Sequence, residues 1–128
     1  MTISTYTQAE IDTVVNHALI AWLWSETDED GTPLDATHSI HEVCVSTRDA
    51  WTREVARFLE ANHADLQDAG LGLEQIGHDF TLTRNGHGVG FRDRNLGEVG
   101  ERLTTACGDY SEVHGFVNRY RLIERGGI

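Results

Sequence analysis

Apolar residues near the start of the chain recur at spacings of three and four, which is the pattern of an amphipathic helix. The set comprises Ile11, Val14, Val15, Ala18, Leu19 and Trp22. Thr7 and Glu10 precede it at the spacing of a capping box, in which each side chain accepts the other residue's amide hydrogen. The pattern predicts a helix over residues 8–25 and an acidic loop over 26–35. Trp24 lies off the stripe, so it either covers the core or is exposed to anchor a partner.

A second amphipathic pattern begins after residues 46–49, which have the composition of a helix N-terminus. Its buried face is predicted to contain Trp51, Val55, Phe58 and Leu59. The helix is expected to end near Asn62 or Leu66, and residues 73–76 to form one short turn. For residues 36–46 the pattern does not decide between strand and helix.

The stretch HDFTLTRNGHGVGFRDR, residues 78–94, changes to an alternating pattern. At its centre, Asn85-Gly86 is a preferred pair for a type I′ turn, in which both central residues need a positive φ. With that turn, one face of a β-hairpin would carry Phe80, Leu82, Val89 and Phe91. Polar or small side chains occupy the other face. We therefore predict a β-hairpin here.

The rest of the chain predicts a further helix over 96–107, capped by Asn95, and a second hairpin with strands at 113–117 and 120–123. The expected fold class is α+β: a small antiparallel sheet of two hairpins packed against about three helices. We expect one domain over 1–128. It would have an acidic helical part, 1–76, and a hairpin-helix-hairpin part, 77–128.

The charge of the chain is unevenly distributed. The net charge is −11; residues 1–79 hold fifteen acidic residues against three arginines, and residues 80–128 hold six against seven. An acidic half argues against direct binding of nucleic acid, because phosphate contacts need a basic surface. It permits binding to a basic protein in competition with nucleic acid. The alternative is an acidic surface that only keeps the protein soluble.

Several classes of protein are not indicated. The longest apolar run has seven residues, whereas a membrane span needs roughly 20, and the N-terminus has no secretory-signal pattern. Cys44 and Cys107 are expected to be buried free thiols, with a disulfide or a metal pair as the alternative. No cofactor is predicted, because the glycines at 86, 88 and 90 lack the following helix or lysine of a phosphate-binding loop.

Two candidate sites remain open. The first is a binding surface made of an exposed hairpin tip and the acidic loop; its residues are Arg84, Asn85, His87, Arg92, Glu26, Asp28, Glu29 and Asp30. The second would make the chain a small enzyme or a metal-dependent protein. Its acid–base residues would be His78, Asp79, His87 and Asp93. No His-Glu-x-x-His pattern or paired cysteines support the metal version.

The run GHDFTLTRNGHGVGFRDRNLGEVGERLT, residues 77–104, resembles a family of small proteins encoded by phages and prophages. Their segment reads GHDFxLTRNGHGxGFxDR and later G(D/E)RLT. Thr81 and Arg92 stand where that family usually has aromatic residues. The resemblance implies no activity, but it implies a phage accessory protein made in the cytoplasm of a bacterial host. From this context, the acidic N-terminal half and the absence of a catalytic constellation in the sequence, we expect binding to a host protein, as an anti-CRISPR or anti-restriction inhibitor that occupies a basic nucleic-acid-binding surface.

Overall fold

The computed structural model describes residues 5–86 and 90–126, and most of these residues are helical. The α-helices are α1 (Gln8–Ser25), α2 (Val45–Ala61), α3 (His63–Ala69), α4 (Leu73–Arg84) and α5 (Glu98–Cys107). Short 3₁₀ helices cover Leu34–Ala36, Ile40–Glu42 and Phe91–Arg94, and the strands are β1 (Gly115–Val117) and β2 (Ile123–Arg125). The predicted fold class is therefore wrong. The described residues form five α-helices and one two-stranded sheet, not two hairpins with about three helices.

The helix predicted over residues 8–25 is confirmed: α1 has these bounds, and the predicted capping box is present at its start. The Glu10 amide donates to the Thr7 hydroxyl at 3.1 Å, and the Thr7 amide donates to the Glu10 carboxylate at 2.9 Å. All six residues of the predicted stripe are buried. Trp22 also donates its indole N–H to the carbonyl oxygen of Val113 at 2.9 Å. Helix α1 thus holds the C-terminal segment in place.

Helix α2 buries its four predicted apolar residues, but it begins at Val45 with Cys44 as its N-cap. It ends at Ala61, and α3 follows almost directly. The undecided stretch 36–46 contains the 3₁₀ helix Ile40–Glu42, which has a capping box of its own from Ser39. This region therefore forms neither a long strand nor a long helix.

Residues 73–84 form helix α4, so the hairpin predicted there is wrong. Gly86 has the positive φ that turn chemistry suggested (70°), but it follows α4 at the left-handed position that commonly ends a helix. Helix α4 is buried around much of its circumference, with polar residues among the buried ones. For example, Thr81 donates to the carbonyl oxygen of Ala18 at 2.9 Å. The alternation of apolar residues with threonines thus belongs to a helix buried on several sides.

The remainder of the predicted hairpin has a different outcome. Val89 lies outside the described residues. Phe91 belongs to a 3₁₀ helix and does not pair with Phe80 across a sheet. Both phenylalanines are nevertheless buried, and each packs against the ring of Phe58, at centroid distances of 4.7 Å for Phe80 and 5.9 Å for Phe91.

Helices α1 and α4 pack against each other more extensively than any other pair of elements. Their close approach centres on Gly77. A Cβ atom there would lie 2.8 Å from the amide nitrogen of Ala18 and closer still to the carbonyl oxygen of Val14. The absence of a side chain at residue 77 therefore sets the distance between the two helices.

The C-terminal half supplies α5 and the sheet. Helix α5 begins at Glu98, two residues later than predicted, because Asn95 and Gly97 have positive φ angles of 57° and 65°. In the sheet, Phe116 lies opposite Glu124 in an antiparallel pair. The predicted second hairpin is thus present, although β2 starts at Ile123, where the prediction placed its last residue. The core is one hydrophobic cluster that takes residues from both predicted parts of the chain.

Candidate functional site

Arg84 is not part of an exposed tip, as the sequence suggested, but is buried. Its guanidinium donates to the carbonyl oxygen of Ser111 at 2.8 Å and to the carboxylate of Glu54 at 2.8 Å, and it lies over the ring of Trp51. Arg125 donates to the same carboxylate at 2.9 Å. Burial disfavours the charged form of Glu54, but the hydrogen bonds from the two arginines lower its pKa. This network fastens the C-terminal segment to α2 and α4.

Asn85, the second predicted tip residue, is also buried. Its side chain donates to the carbonyl oxygen of Val113 at 3.0 Å and accepts from the Val113 amide at 2.8 Å. Arg92 is exposed, and Glu101 accepts its guanidinium hydrogen bonds at 3.2 Å. His87 lies outside the described residues. The predicted recognition tip is therefore wrong for Arg84 and Asn85, because their polar groups are already satisfied within the fold.

The alternative acid–base site is not assembled by the residues that the structure describes. The carboxylate of Asp79 is almost wholly buried and is held by Arg94, with the shorter distance at 2.6 Å. The His78 ring lies beside His17, at a centroid distance of 6.3 Å. Burial, and then the neighbouring histidine, lower the pKa of His78. His87 and the side chain of Asp93 lie outside the described part.

Metal binding finds no support in this region either. Among residues 5–86 and 90–126, no group of three or more His, Cys, Asp or Glu side chains is placed to hold an ion. Cys44 and Cys107 are free thiols. Burial raises the pKa of the Cys107 thiol to about 12.

The acidic loop predicted over 26–35 ends at residue 33, because the 3₁₀ helix Leu34–Ala36 follows. Two of its own carboxylates hold the loop, residues 26–33, in shape. Glu26 is buried and accepts from the Gly115 amide at 2.7 Å, which joins the loop to β1. The carboxylate of Asp28 accepts from the amides of Asp30 and Thr32 at 2.8 and 3.0 Å. These two acidic residues are therefore occupied in shaping the loop.

Glu29 and Asp30 differ from the other two acids of the loop. Both are exposed. Within the described ranges, neither carboxylate has a hydrogen-bond or ion-pair partner. Two negative charges are thus presented to solvent at the tip of a loop whose shape is fixed.

A groove of about 710 Å³ separates the acidic loop from the C-terminal sheet. Residues 27–30 line one side and residues 115–117 the other; Leu34, Thr37, His38 and Arg121 complete it. The large apolar side chains of Phe116 and Val117 are 44% and 39% exposed. We call this feature the acidic groove. It combines unpaired carboxylates with exposed apolar surface.

His114 lies at one end of this arrangement, between two carboxylates. Its Nδ1 is 3.2 Å from Glu26 and its Nε2 is 3.4 Å from Glu112. Partial burial disfavours the charged ring, but the interactions with the two carboxylates dominate and raise the pKa of His114. A protonated His114 therefore strengthens the link between the acidic loop and β1.

The sequence indicated the acidic side of this groove but not its other wall. Residues 115–117 were expected in a strand, and nothing in their pattern showed that Phe116 and Val117 would be exposed. Two consecutive apolar residues in a strand point to opposite faces, so both are buried only if both faces are covered. In a two-stranded sheet at the surface, that is not the case. Trp24, left undecided by the sequence, is 58% exposed.

Comparison of the chain with protein-family models, curated proteins and solved structures finds no match in any of the three. None of the described helices has both the length and the apolar content that a membrane crossing requires.

Proposed function

We propose that this chain is a small acidic phage accessory protein that binds a basic host protein through the acidic groove. It acts in the cytoplasm of the bacterial host. By occupying a nucleic-acid-binding surface of that protein, it inhibits a defence system of the CRISPR or restriction kind. The observation that carries the proposal is the pair of unpaired carboxylates, Glu29 and Asp30, beside the exposed side chains of Phe116 and Val117.

Charge and apolar surface have separate roles in such a contact. A protein surface that binds phosphates is rich in lysine and arginine, and carboxylates held on a rigid loop attract the same cations. Exposed apolar side chains add the desolvated centre that a specific interface needs. The net charge of −11 and the resemblance of residues 77–104 to phage proteins support the same proposal.

Only part of the predicted acidic surface is available for this role. Glu26 is buried and Asp28 organises the loop, so neutralising either would disturb the fold before it affected binding. Glu29 and Asp30 carry no such structural hydrogen bonds among the described residues. Among the four acidic residues of the predicted surface, they are the two at which charge can be removed with the fold left intact.

The experiment is affinity capture from bacterial lysate at low and high salt, with three tagged proteins. These are the wild type, the groove variant E29Q/D30N, and the control D49N/D68N, which removes two exposed carboxylates from α2 and α3. We expect a nucleic-acid-binding protein to be retained by the wild type and the control at low salt. It should be released at high salt, because the Debye length falls to about 3 Å at 1 M salt and the attraction between neighbouring exposed charges is then weakened.

The groove variant should retain much less of that protein, and added DNA should compete with the wild type for it. Equal retention by the groove variant, or retention that salt does not change, would contradict the proposal. So would a captured protein that binds DNA and the acidic chain at the same time.

A further inference from the structure

Backbone hydrogen bonds show which groups of β1 face away from β2. At one end of the sheet the Gly126 amide donates to the His114 carbonyl, and at the other the Asn118 amide donates to the Leu122 carbonyl. Hydrogen-bonded pairs in an antiparallel ladder occur at every second residue. Phe116 and Glu124 therefore form the hydrogen-bonded pair between them. Gly115 and Val117 direct their backbone groups outward.

Contacts on both sides of the sheet agree with this assignment. On β1, the outward Gly115 amide donates to Glu26. On β2, the Ile123 carbonyl accepts from the Cys44 amide at 2.9 Å, and the Arg125 amide donates to the Thr47 hydroxyl at 3.1 Å. The outer edge of β2 is thus covered by the segment that leads into α2.

The outer edge of β1 faces the acidic groove. Within the described part of the chain, these three outward groups have no hydrogen-bond partner: the Val117 amide and the carbonyl oxygens of Gly115 and Val117. These groups have the spacing that an added strand requires, and unpaired strand edges are sites where extended peptides bind. Across the groove, three carboxylates (Asp28, Glu29 and Asp30) oppose one guanidinium, that of Arg121.

We propose that the acidic groove binds an extended, lysine- or arginine-containing segment of the partner protein, which adds to the sheet as a third strand along β1. This rests on the proposed function and specifies its partner. The segment pairs with the Gly115 carbonyl oxygen and with the amide and carbonyl oxygen of Val117, while the Gly115 amide stays bound to Glu26. Its cationic side chains reach Glu29 and Asp30, and an apolar neighbour covers Phe116. Charge complementarity across the groove favours this occupant over a second copy of the acidic chain.

Selection of a random seven-residue peptide library on the intact protein tests this inference. We expect enriched peptides to contain lysine or arginine between β-branched or aromatic residues. Two N-methylated versions of each peptide, one methylated at the odd residues and one at the even residues, then test the backbone pairing. Only the version whose methylated nitrogens face β1 should bind more weakly, by about tenfold, since about two ordinary hydrogen bonds are lost. V117P should cause a smaller loss in the same direction. Its N–H points away from β2, so the substitution leaves the hydrogen bonds between the strands in place.

The outcomes separate this inference from the proposed function. Basic peptides that need Glu29 and Asp30 but bind equally well in both N-methylated versions would support binding of a basic partner at the groove and overturn strand addition. Peptides that are sensitive to methylation and V117P, yet neutral and unaffected by E29Q/D30N, would support strand addition and contradict the proposed basic partner. No enrichment over a selection on E29Q/D30N/V117P would overturn the inference.

Discussion

Replacing Gly77 with alanine tests the contact on which α4 and α1 depend. The new methyl group would lie 2.8 Å from the Ala18 amide nitrogen, whereas ordinary van der Waals contacts begin near 3.4 Å. The two atoms nearest to this methyl group, the Val14 carbonyl oxygen and the Ala18 amide nitrogen, both belong to the backbone of α1, so they cannot rotate away as a side chain could. The helices would have to move apart, which would also stretch the buried hydrogen bond from Thr81 to the carbonyl oxygen of Ala18.

The opposing terms can be compared. Alanine is favoured over glycine inside a helix by about 1 kcal/mol. Overpacking a tight contact costs about 1–3 kcal/mol, and weakening a buried hydrogen bond costs about 1 kcal/mol more. We therefore expect G77A to lower the free energy of unfolding by about 1–3 kcal/mol. For a chain of this size that corresponds to a fall in melting temperature of roughly 4–11 °C.

The assay is thermal and urea unfolding followed by circular dichroism. The matched control is G72S at the N-cap of α4, where an added Cβ meets no atom within 4 Å and serine is a favourable cap. We expect the control to melt at or above the wild-type temperature. A G77A protein as stable as the wild type would contradict the close contact of α4 with α1, because residue 77 would then not lie between two backbones.

Three further predictions concern other parts of the molecule. At pH 8, a thiol reagent should label Cys44 before unfolding and Cys107 only with unfolding. Burial raises the pKa of Cys107 to about 12, whereas for Cys44 the effect of burial is outweighed by hydrogen bonds with Thr47 and Ser46, which lower its pKa. Equal labelling rates in peptide mass spectrometry would contradict this. Because the pKa of His114 is raised in the folded protein, the protonated ring stabilises the fold; this stabilisation is complete below the unfolded pKa of about 6.5 and is lost as pH rises through the folded pKa. The difference in melting temperature between wild type and H114Q should therefore shrink from pH 6 to pH 8. A constant difference would contradict the interaction of His114 with the carboxylates. G86V should destabilise the protein by about 1–2 kcal/mol, because a β-branched residue disfavours the φ of 70° that Gly86 adopts after the end of α4. An unchanged melting temperature would contradict a positive φ at residue 86.

Helix α2 was predictable because it buries one face and exposes the other, so that its sequence carries the helical period. Helix α1 was predictable from its capping box and its apolar stripe, although Ala21 and Leu23 are buried beside that stripe. Helix α4 was not, because much of its circumference is buried. Its polar residues are satisfied by distant groups: Thr81 by Ala18, and Asp79 by Arg94. A local pattern cannot show such partners, and the strong turn signal of Asn85-Gly86 then favoured a hairpin. The positive φ was predicted correctly for Gly86 but wrongly for Asn85, whose φ is −92°, and the element that precedes them is a helix.

The candidate site divides in the same way. The acidic composition of residues 26–30 was visible in the sequence, but the difference between its structural and its free carboxylates was not. Glu26 is buried because its partner, the Gly115 amide, comes from 89 residues later in the chain. The exposed apolar wall likewise exists only because the sheet stops at two strands. These features follow from tertiary contacts, and a single sequence does not display them.

The most direct test of the binding account is hydrogen exchange of the protein with and without the captured partner, read at the level of single amides. If the partner binds in the acidic groove, we expect new protection of the Val117 amide and of the amides near Glu29 and Asp30, and unchanged exchange rates in α3 and α5. Protection confined to α3 and α5, with the amides along the acidic groove exchanging as in the free protein, would contradict it.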